Sequence, residues 1–306
     1  MFGRYRKVAN QLVQLINAHD YSGIERLFTG EMSRALPLDK ASDFFKGMTG
    51  QFGKIEKLDE PKPSGEWMVF PAHCEHGLLE MSLALEKDDK VSGLLFKPPH
   101  TISLGRVAKP QRTQLALPFK GRWQVFWGGD TKELNHHHDD PGQRFAFDLL
   151  GVNGKGETHR SDGTRNEDYF CFGREILAPA DGIVSAAIDG VRDNAPGSMN
   201  SYSAVGNCVV IQHQANEVSF LAHLQRGSVL VEAGESVKTG QIVGKCGNSG
   251  NSSEPHLHYH LQNSAILQGG LGIKCTFHEV VLTRDGQSET KTNYSPIKGD
   301  IISPGT

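Results

Sequence analysis

The sequence predicts an α+β domain over residues 1–100, followed by a mainly antiparallel all-β domain over residues 101–306. Apolar residues recur at helical spacing in the first part of the chain, and the pattern changes to short strands after Gly65. Beyond residue 100, glycines and other turn formers separate short apolar runs, which is typical of an all-β domain. A chain of 306 residues is long enough to give each domain its own core.

Three amphipathic helical segments begin the chain. In the first, Val8, Leu12, Val13, Leu15 and Ile16 recur at helical spacing, and the others are expected over residues 21–28 and 38–52. Helices that precede an antiparallel meander indicate an α+β domain.

Three strands are expected next, over residues 66–73, 77–85 and 90–96, with Asp88 and Asp89 in the last turn. The domain is expected to end near Pro98 and Pro99.

The order of these elements and the stretch over residues 20–28 resemble the small cone-shaped α+β domains of the cystatin-like or nuclear-transport-factor type. His73 and His76 are interpreted as ordinary strand residues, since no catalytic constellation surrounds them in the sequence. The domain is therefore interpreted as a binding or spacing module.

Composition indicates a globular protein with neither a nucleic-acid partner nor a membrane span. The net charge is −3 and the isoelectric point is near 6.5, so the basic excess of a nucleic-acid-binding domain is missing. No apolar stretch reaches the roughly 18 residues that a transmembrane helix needs. Residues 1–7 carry positive charge without an apolar run behind them, so an intact signal peptide is not expected; the chain is cytosolic, or a mature or trimmed form.

The cysteines are widely spaced and form no C-x-x-C pair, which excludes a zinc ribbon. An odd number excludes complete intramolecular pairing, so one or two disulfides and buried free thiols both remain open. The five are Cys74, Cys171, Cys208, Cys246 and Cys275.

The all-β prediction rests on apolar runs over residues 121–127, 182–188, 207–212 and 218–224. Glycines between such runs allow tight turns and positive φ angles. They include Gly182, Gly240, Gly244, Gly247 and Gly250.

Histidines alternate with other residues at positions 256, 258 and 260. On an extended strand, residues two apart face the same side, so the three imidazoles would line one surface. Such a row suits a metal ion, although a strand with surface histidines has the same pattern.

Further candidate ligands lie upstream. Residues 136–138 are three consecutive histidines, and Asp148 lies inside an apolar run over residues 145–150. A buried carboxylate is costly unless a cation or hydrogen bonds compensate, so either a metal, Arg144 or a backbone amide is expected beside Asp148. His223 ends another apolar run, where on its own it would fit a core histidine.

These elements together resemble the lysostaphin/LytM-type zinc metallopeptidases, which cut peptide bonds in bacterial peptidoglycan. The resemblance covers residues 125–265 or so, in the order of the family. Its motifs are the pair His137 and Asp148, the segments over residues 221–224 and 255–258, and the supporting segments over residues 176–184 and 237–250.

The resemblance implies one zinc ion bound by His137, Asp148 and His258, with a coordination position open for water. It implies that His223 and His256 are the catalytic imidazoles, and the role of general base is assigned to His256. The expected activity is zinc-dependent hydrolysis of peptidoglycan peptides by metal-activated water.

The sequence departs from the family at two positions. Leu221 replaces a frequent tyrosine, and His260 replaces a residue that is commonly acidic. The long gap between histidine and aspartate matches a subgroup and favours His137, but the choice among the three neighbouring histidines remains open. The candidates for contacts that support the metal ligands are Asn135, Arg144 and His260.

The expected substrate, a peptidoglycan peptide, places the protein outside the cytoplasm, in the periplasm or secreted. Four polar residues before His256 either form hydrogen bonds to this substrate in a groove or only build the loop: Asn248, Ser249, Asn251 and Ser252. No protein partner is predicted. Two alternatives are a non-catalytic wall-binding or regulatory module on the same fold and a lipoyl-like carrier or phosphotransfer domain; the full set of ligand types argues against both.

Overall fold

The structure is a computed structural model that describes residues 2–97, 110–267, 269–284 and 286–305. The chain divides into two compact units, residues 1–103 and 104–306. The expected domain end near Pro98 and Pro99 lies outside the described residues. Among the described residues, no helix has the length and apolar character that crossing a membrane requires.

The first unit confirms the predicted succession of helices and antiparallel strands. Helix α1 buries Val8, Leu12 and Ile16, as its spacing predicts, whereas Val13 and Leu15 of the same prediction are only partly buried. The helices are α1 (Phe2–Asn17), α2 (Tyr21–Glu25), α3 (Gly30–Ala35) and α4 (Leu38–Phe52). The strands are β1 (Ile55–Leu58), β2 (Lys62–Ser64), β3 (Trp67–Cys74), β4 (Gly77–Leu85) and β5 (Val91–Lys97). They form one sheet in the order β1-β3-β4-β5, with β2 paired to β3.

This unit differs from the sequence prediction in three details. Strands β1 and β2, which lie before Gly65, were not predicted. Helix α3 was not expected because none of its residues is buried, and its one local signal is the N-cap, where Thr29 accepts a hydrogen bond from the Met32 amide. His76 lies in the turn between β3 and β4 and not in a strand, whereas His73 lies in β3. The turn at Asp88 and Asp89 is confirmed.

The second unit is built almost entirely of antiparallel strands, which confirms the predicted fold class. Its main sheet has eleven strands, in the order β12-β9-β10-β11-β14-β7-β6-β18-β16-β17 with β15 beside β14, and β8 pairs with β13 in a small second sheet. The strands are β6 (Trp123–Trp127), β7 (Phe147–Gly151), β8 (Glu175–Leu177), β9 (Gly182–Ile188), β10 (Asn207–Gln212), β11 (Val218–Leu224), β12 (Ser236–Val237), β13 (Ile242–Lys245), β14 (Leu257–Gln262), β15 (Gly272–Ile273), β16 (Phe277–Arg284), β17 (Gln287–Tyr294) and β18 (Ile301–Pro304).

The order β11-β14-β7 brings distant segments side by side in the middle of this sheet. Ala222 is paired with His258, and His258 with Asp148, so three predicted motifs meet on neighbouring strands. All residues of these three strands are buried. A cluster of buried apolar side chains that includes Trp123, Phe147 and Tyr259 supports them. All five cysteines are buried free thiols in the structure.

Candidate metal centre and active site

Asp148 lies at the centre of a group of imidazoles. Its Oδ2 atom is 3.1 Å from His137 Nε2 and 4.0 Å from His136 Nδ1. Its Oδ1 atom is 2.9 Å from His258 Nδ1 and 3.6 Å from His256 Nε2. Asp148 is only 6% exposed, and every side-chain partner that the structure gives its carboxylate is a histidine.

Burial by itself would raise the pKa of Asp148. Opposing it, the charges of His137 and His256 and hydrogen bonds from His137 and His258 hold this pKa well below the ordinary aspartate value. The carboxylate is therefore ionised and compensated by histidines. The alternative expectation, an ion pair between Asp148 and Arg144, is wrong. The Arg144 guanidinium instead lies over the Phe145 ring, 5.6 Å from its centroid.

Asn135 holds the histidine-rich segment in place. Its side-chain oxygen accepts a hydrogen bond from the His137 amide at 3.1 Å and so caps the short 3₁₀ helix His136–Asp139. Its side-chain amide donates to the carbonyl of Ala146 at 3.0 Å, just before β7. The fully buried Asn135 thus ties the histidines to the strand that carries Asp148.

The three consecutive histidines are not equivalent in the fold. Ligand atoms of His136, His137 and Asp148 all lie within 4.8 Å of one another, as the donor atoms of a metal site do. The His138 ring instead contacts the neighbouring Asp139 carboxylate, at 3.2 Å.

The alternating histidines have three different environments. His256 precedes β14, which begins at Leu257, and its Nδ1 contacts the Glu254 carbonyl at 2.8 Å, which leaves Nε2 facing Asp148. His258 lies on β14 and points its Nδ1 at Asp148. His260, also on β14, contacts His258 and not the carboxylate.

His223 completes the group from β11. Its Nδ1 contacts the carbonyl of Ser249 at 2.8 Å, and its ring centroid is 4.8 Å from that of His256. Burial, followed by the charges of His256 and His258, holds the pKa of His223 well below the ordinary histidine value. His223 is therefore neutral, with Nδ1 as the protonated nitrogen and Nε2 as the acceptor.

These side chains line an open cleft of about 490 Å³. Its other walls combine aromatic, apolar and polar groups, so an extended peptide could make both kinds of contact. They include Phe126, Trp127, Met199, Val205, Asn251 and Glu254.

The four polar residues before His256 divide between loop and groove. Asn248 and Ser249 are fully buried and bond within the fold; the Ser249 hydroxyl, for example, donates to the Leu224 carbonyl at 2.7 Å. The groove interpretation is wrong for these two. Asn251 and Ser252 do line the cleft, although Ser252 also donates to the Asn248 side chain at 2.7 Å.

Sequence reasoning missed an aromatic wall beside the histidines. The ring of Trp127 packs edge-on against His136, with centroids 5.1 Å apart, and Lys298 Nζ lies 3.6 Å from the Trp127 ring centroid. The signal that could have found Trp127 is its place at the end of an apolar run. Because β6 pairs with β7, that end lies opposite Asp148.

Histidines gathered around one buried carboxylate in a cleft provide the nitrogen and oxygen donors that catalytic zinc sites use. Residues 166–268 match the model of peptidase family M23, and the C-terminal part of the chain is an M23 peptidase domain. The matched span includes His223, His256 and His258 but begins after His137 and Asp148. Residues 9–94 match a protein family of unknown function, DUF3887.

Curated relatives agree with this family. The chain is 40% identical over 94 residues to peptidoglycan DD-endopeptidase ShyC of Vibrio cholerae. These residues make up 31% of this chain and 20% of that protein. It is 45% identical over 56 residues to peptidoglycan DD-endopeptidase ShyA of the same organism, and these residues make up 18% of this chain and 13% of that protein. The chain thus spans a fifth or less of the length of these relatives.

Among solved structures, the catalytic domain of lysostaphin from Staphylococcus simulans is similar at a TM-score of 0.30 and 20% identity. The similarity covers 50% of this chain and 88% of that domain. The family assignment does not depend on it.

Proposed function

We propose that the protein is a zinc-dependent endopeptidase that hydrolyses peptide bonds of bacterial peptidoglycan. The observation that carries this proposal is the ionised, buried Asp148 compensated by imidazoles, with two more histidines beside it in an open cleft. The activities named for the Vibrio cholerae relatives support peptidoglycan as the substrate. The site of action is then outside the cytoplasm, and the first unit is proposed to be a binding or spacing module.

The proposed metal ligands are His137 Nε2, an Asp148 carboxylate oxygen and His258 Nδ1. Nitrogen and oxygen donors of this kind suit zinc, and three protein ligands leave a position open, as in catalytic sites. His137 is favoured over His136 because its ring nitrogen is closer to Asp148, at 3.1 Å against 4.0 Å, and because His136 is half exposed. When bound, zinc polarises the scissile carbonyl and lowers the pKa of the attacking water.

The proposed catalytic imidazoles are His256 and His223. In each ring, Nδ1 donates a hydrogen bond to a backbone carbonyl, so Nε2 is the proton acceptor that faces the cleft. His256 is assigned as the base that takes the proton from water, since its Nε2 lies 3.6 Å from Asp148. His256 then passes this proton to the leaving amine, and His223, whose Nε2 also faces the cleft, is the second imidazole available for proton transfer.

The test combines metal analysis of the purified protein with mass spectrometry of muropeptides after digestion. We expect one zinc per chain, product release that stops with a chelator, and recovery when zinc is added. His137→Ala and His258→Ala should lose zinc and activity, whereas the matched control His138→Ala should keep both, because His138 bonds to Asp139 instead.

Native protein that holds no divalent metal and cleaves no muropeptide would contradict the proposal. Zinc-bound protein without turnover on any muropeptide would favour the non-catalytic wall-binding module. Loss of zinc in His136→Ala but not in His137→Ala would transfer the ligand role to His136 and leave the function standing.

A further inference from the structure

A line of buried polar groups continues behind the metal centre along β14. His258 points Nδ1 at Asp148, 2.9 Å away, and Nε2 at His260 Nδ1, 3.0 Å away. The His260 ring stacks on Phe220 with centroids 4.5 Å apart and planes 10° apart, which fixes its orientation. Both histidines are at most 3% exposed, so bulk water does not compete for these nitrogens.

The line ends at Gln262, two residues further along the same strand and on the same face. The Gln262 amide nitrogen donates to the carbonyls of Ser264 at 2.7 Å and Ile266 at 2.8 Å. These two bonds determine which end of the amide is Nε2, so Oε1 can only accept.

His260 Nε2 and Gln262 Oε1 are both buried and have no hydrogen-bond partner among the described residues. Leaving a buried polar atom unpaired costs about 1–3 kcal/mol, so two such atoms on neighbouring side chains call for an explanation. Burial, the largest cause, lowers the pKa of His260, and Gln262 lies near enough to oppose this by raising it, although the structure has no hydrogen bond between the two side chains.

One choice of tautomers for His258 and His260 accounts for the two unpaired atoms. If His258 donates from Nδ1 to Asp148, then its Nε2 accepts from His260 Nδ1. His260 Nε2 is then an acceptor, like the Gln262 oxygen, so these two atoms cannot bond to each other; neither has a partner among the described residues.

The other pair of neutral tautomers contains the same number of protons and would give both His260 nitrogens and the Gln262 oxygen a partner. His258 carries its proton on Nε2 and donates to His260 Nδ1, which places the His260 proton on Nε2, ready to donate to Gln262 Oε1. In this arrangement His258 Nδ1 has a free electron pair directed at the Asp148 side of the cleft, which is what a metal ligand requires.

We propose that His260 and Gln262 are positioning residues that hold His258 in the tautomer that binds metal through Nδ1. This inference rests on the proposed zinc site. With zinc bound, each of the two rings would carry its proton on Nε2 instead of Nδ1, His260 would donate to Gln262, and the pair would hold the same number of protons as before. His260 therefore acts through His258 and does not touch the substrate.

The test measures zinc affinity by competition with a chromophoric chelator. His260→Phe keeps an aromatic ring against Phe220 but removes both nitrogens, and should weaken zinc binding about 10–100-fold, as loss of a ligand's supporting contact does. His260→Asn, whose side-chain oxygen can replace the Nδ1 acceptor, should restore most of the affinity. Gln262→Met should weaken binding as well, by a smaller factor.

A second measurement uses the unmodified protein. Imidazole ¹⁵N NMR should show both rings protonated at Nδ1 in the metal-free protein and at Nε2 with zinc bound. Unchanged tautomers, or folded His260→Phe that binds zinc as tightly as native protein, would overturn the inference. Failure of the native protein to bind zinc would instead overturn the proposed function, so the two failures are distinguishable.

Discussion

At the scale of single residues, His223 has an unusual backbone. Its φ angle is +60°, a left-handed conformation that is uncommon outside glycine, although histidine, like asparagine and aspartate, adopts it more often than other residues. The conformation is held by the hydrogen bond from its amide to the Val205 carbonyl at 2.9 Å and by the bond from the Gly247 amide to its own carbonyl at 3.1 Å. Such local strain is concentrated at functional sites, which agrees with a catalytic role for His223.

We expect His223→Asn to keep zinc and fold stability but to lower kcat by about 10²–10⁴-fold, because asparagine tolerates a positive φ but cannot exchange a proton. His223→Leu should lose the same activity and also unfold at lower temperature. Zinc content, thermal unfolding and muropeptide turnover measure the three effects. Near-native turnover in His223→Asn would exclude His223 from proton transfer.

At the scale of elements, the loop before β10 crosses closely over the loop after β13. A Cβ atom at Gly206, where φ is +60°, would lie 2.4 Å from the backbone carbonyl of Ser249. That carbonyl is the one that orients His223. Glycine at this crossing therefore allows the close approach of two segments that together position the ring of His223, the proposed catalytic residue.

Gly206→Ala should reduce the free energy of unfolding by several kcal/mol and should lower activity, because Ser249 must move. The matched control is Gly197→Ala, at φ +85° with open space around the site, which incurs only the roughly 1–2 kcal/mol of left-handed strain. Urea denaturation and turnover of both variants give the comparison. Equal losses in the two variants would show that φ alone, not the crossing, requires glycine.

At the scale of the whole molecule, the proposed site residues all belong to the second unit, residues 104–306. Behind the site, the sheet of this unit contains a second polar line, in which His213 contacts the Asp181 carbonyl and the Ser219 hydroxyl, each at 2.8 Å. Ser219 in turn contacts the Tyr259 hydroxyl at 3.0 Å. Burial lowers the pKa of His213 below the ordinary 6.5, so the folded protein keeps this ring neutral.

This shift makes global stability depend on pH. Because the pKa of His213 is lower in the folded protein, the unfolded chain binds a proton first as the pH falls. The contribution of His213 to the free energy of unfolding is therefore complete above about pH 6.5 and is lost as the pH drops below it. The slope from one histidine is at most about 1.4 kcal/mol per pH unit. His213→Gln should therefore lose less stability than native protein between pH 7 and 5, by urea denaturation with a chelator present. The same loss in both proteins would contradict this.

Local periodicity accounts for what could be predicted. The three apolar runs over residues 182–188, 207–212 and 218–224 coincide with β9, β10 and β11, because a buried strand is recognisable from its own residues. The same holds for α1 and α4. Helix α3 buries no residue and therefore has no such signal. The cone-type resemblance of the first unit and the roles of the site residues stay predictions.

The sequence by itself determined the fold class, the family and the residue types of the candidate site, because alternation and motif spacing are properties of short segments. Tertiary structure decided the distances within the site. The strand order β11-β14-β7 brings His258 to Asp148 across 110 residues, and the Asn135 cap brings His137 and not His138 to the same carboxylate. His260 looked equivalent to its neighbours by spacing, but what a buried imidazole contacts depends on the packing around it, here His258 and the ring of Phe220.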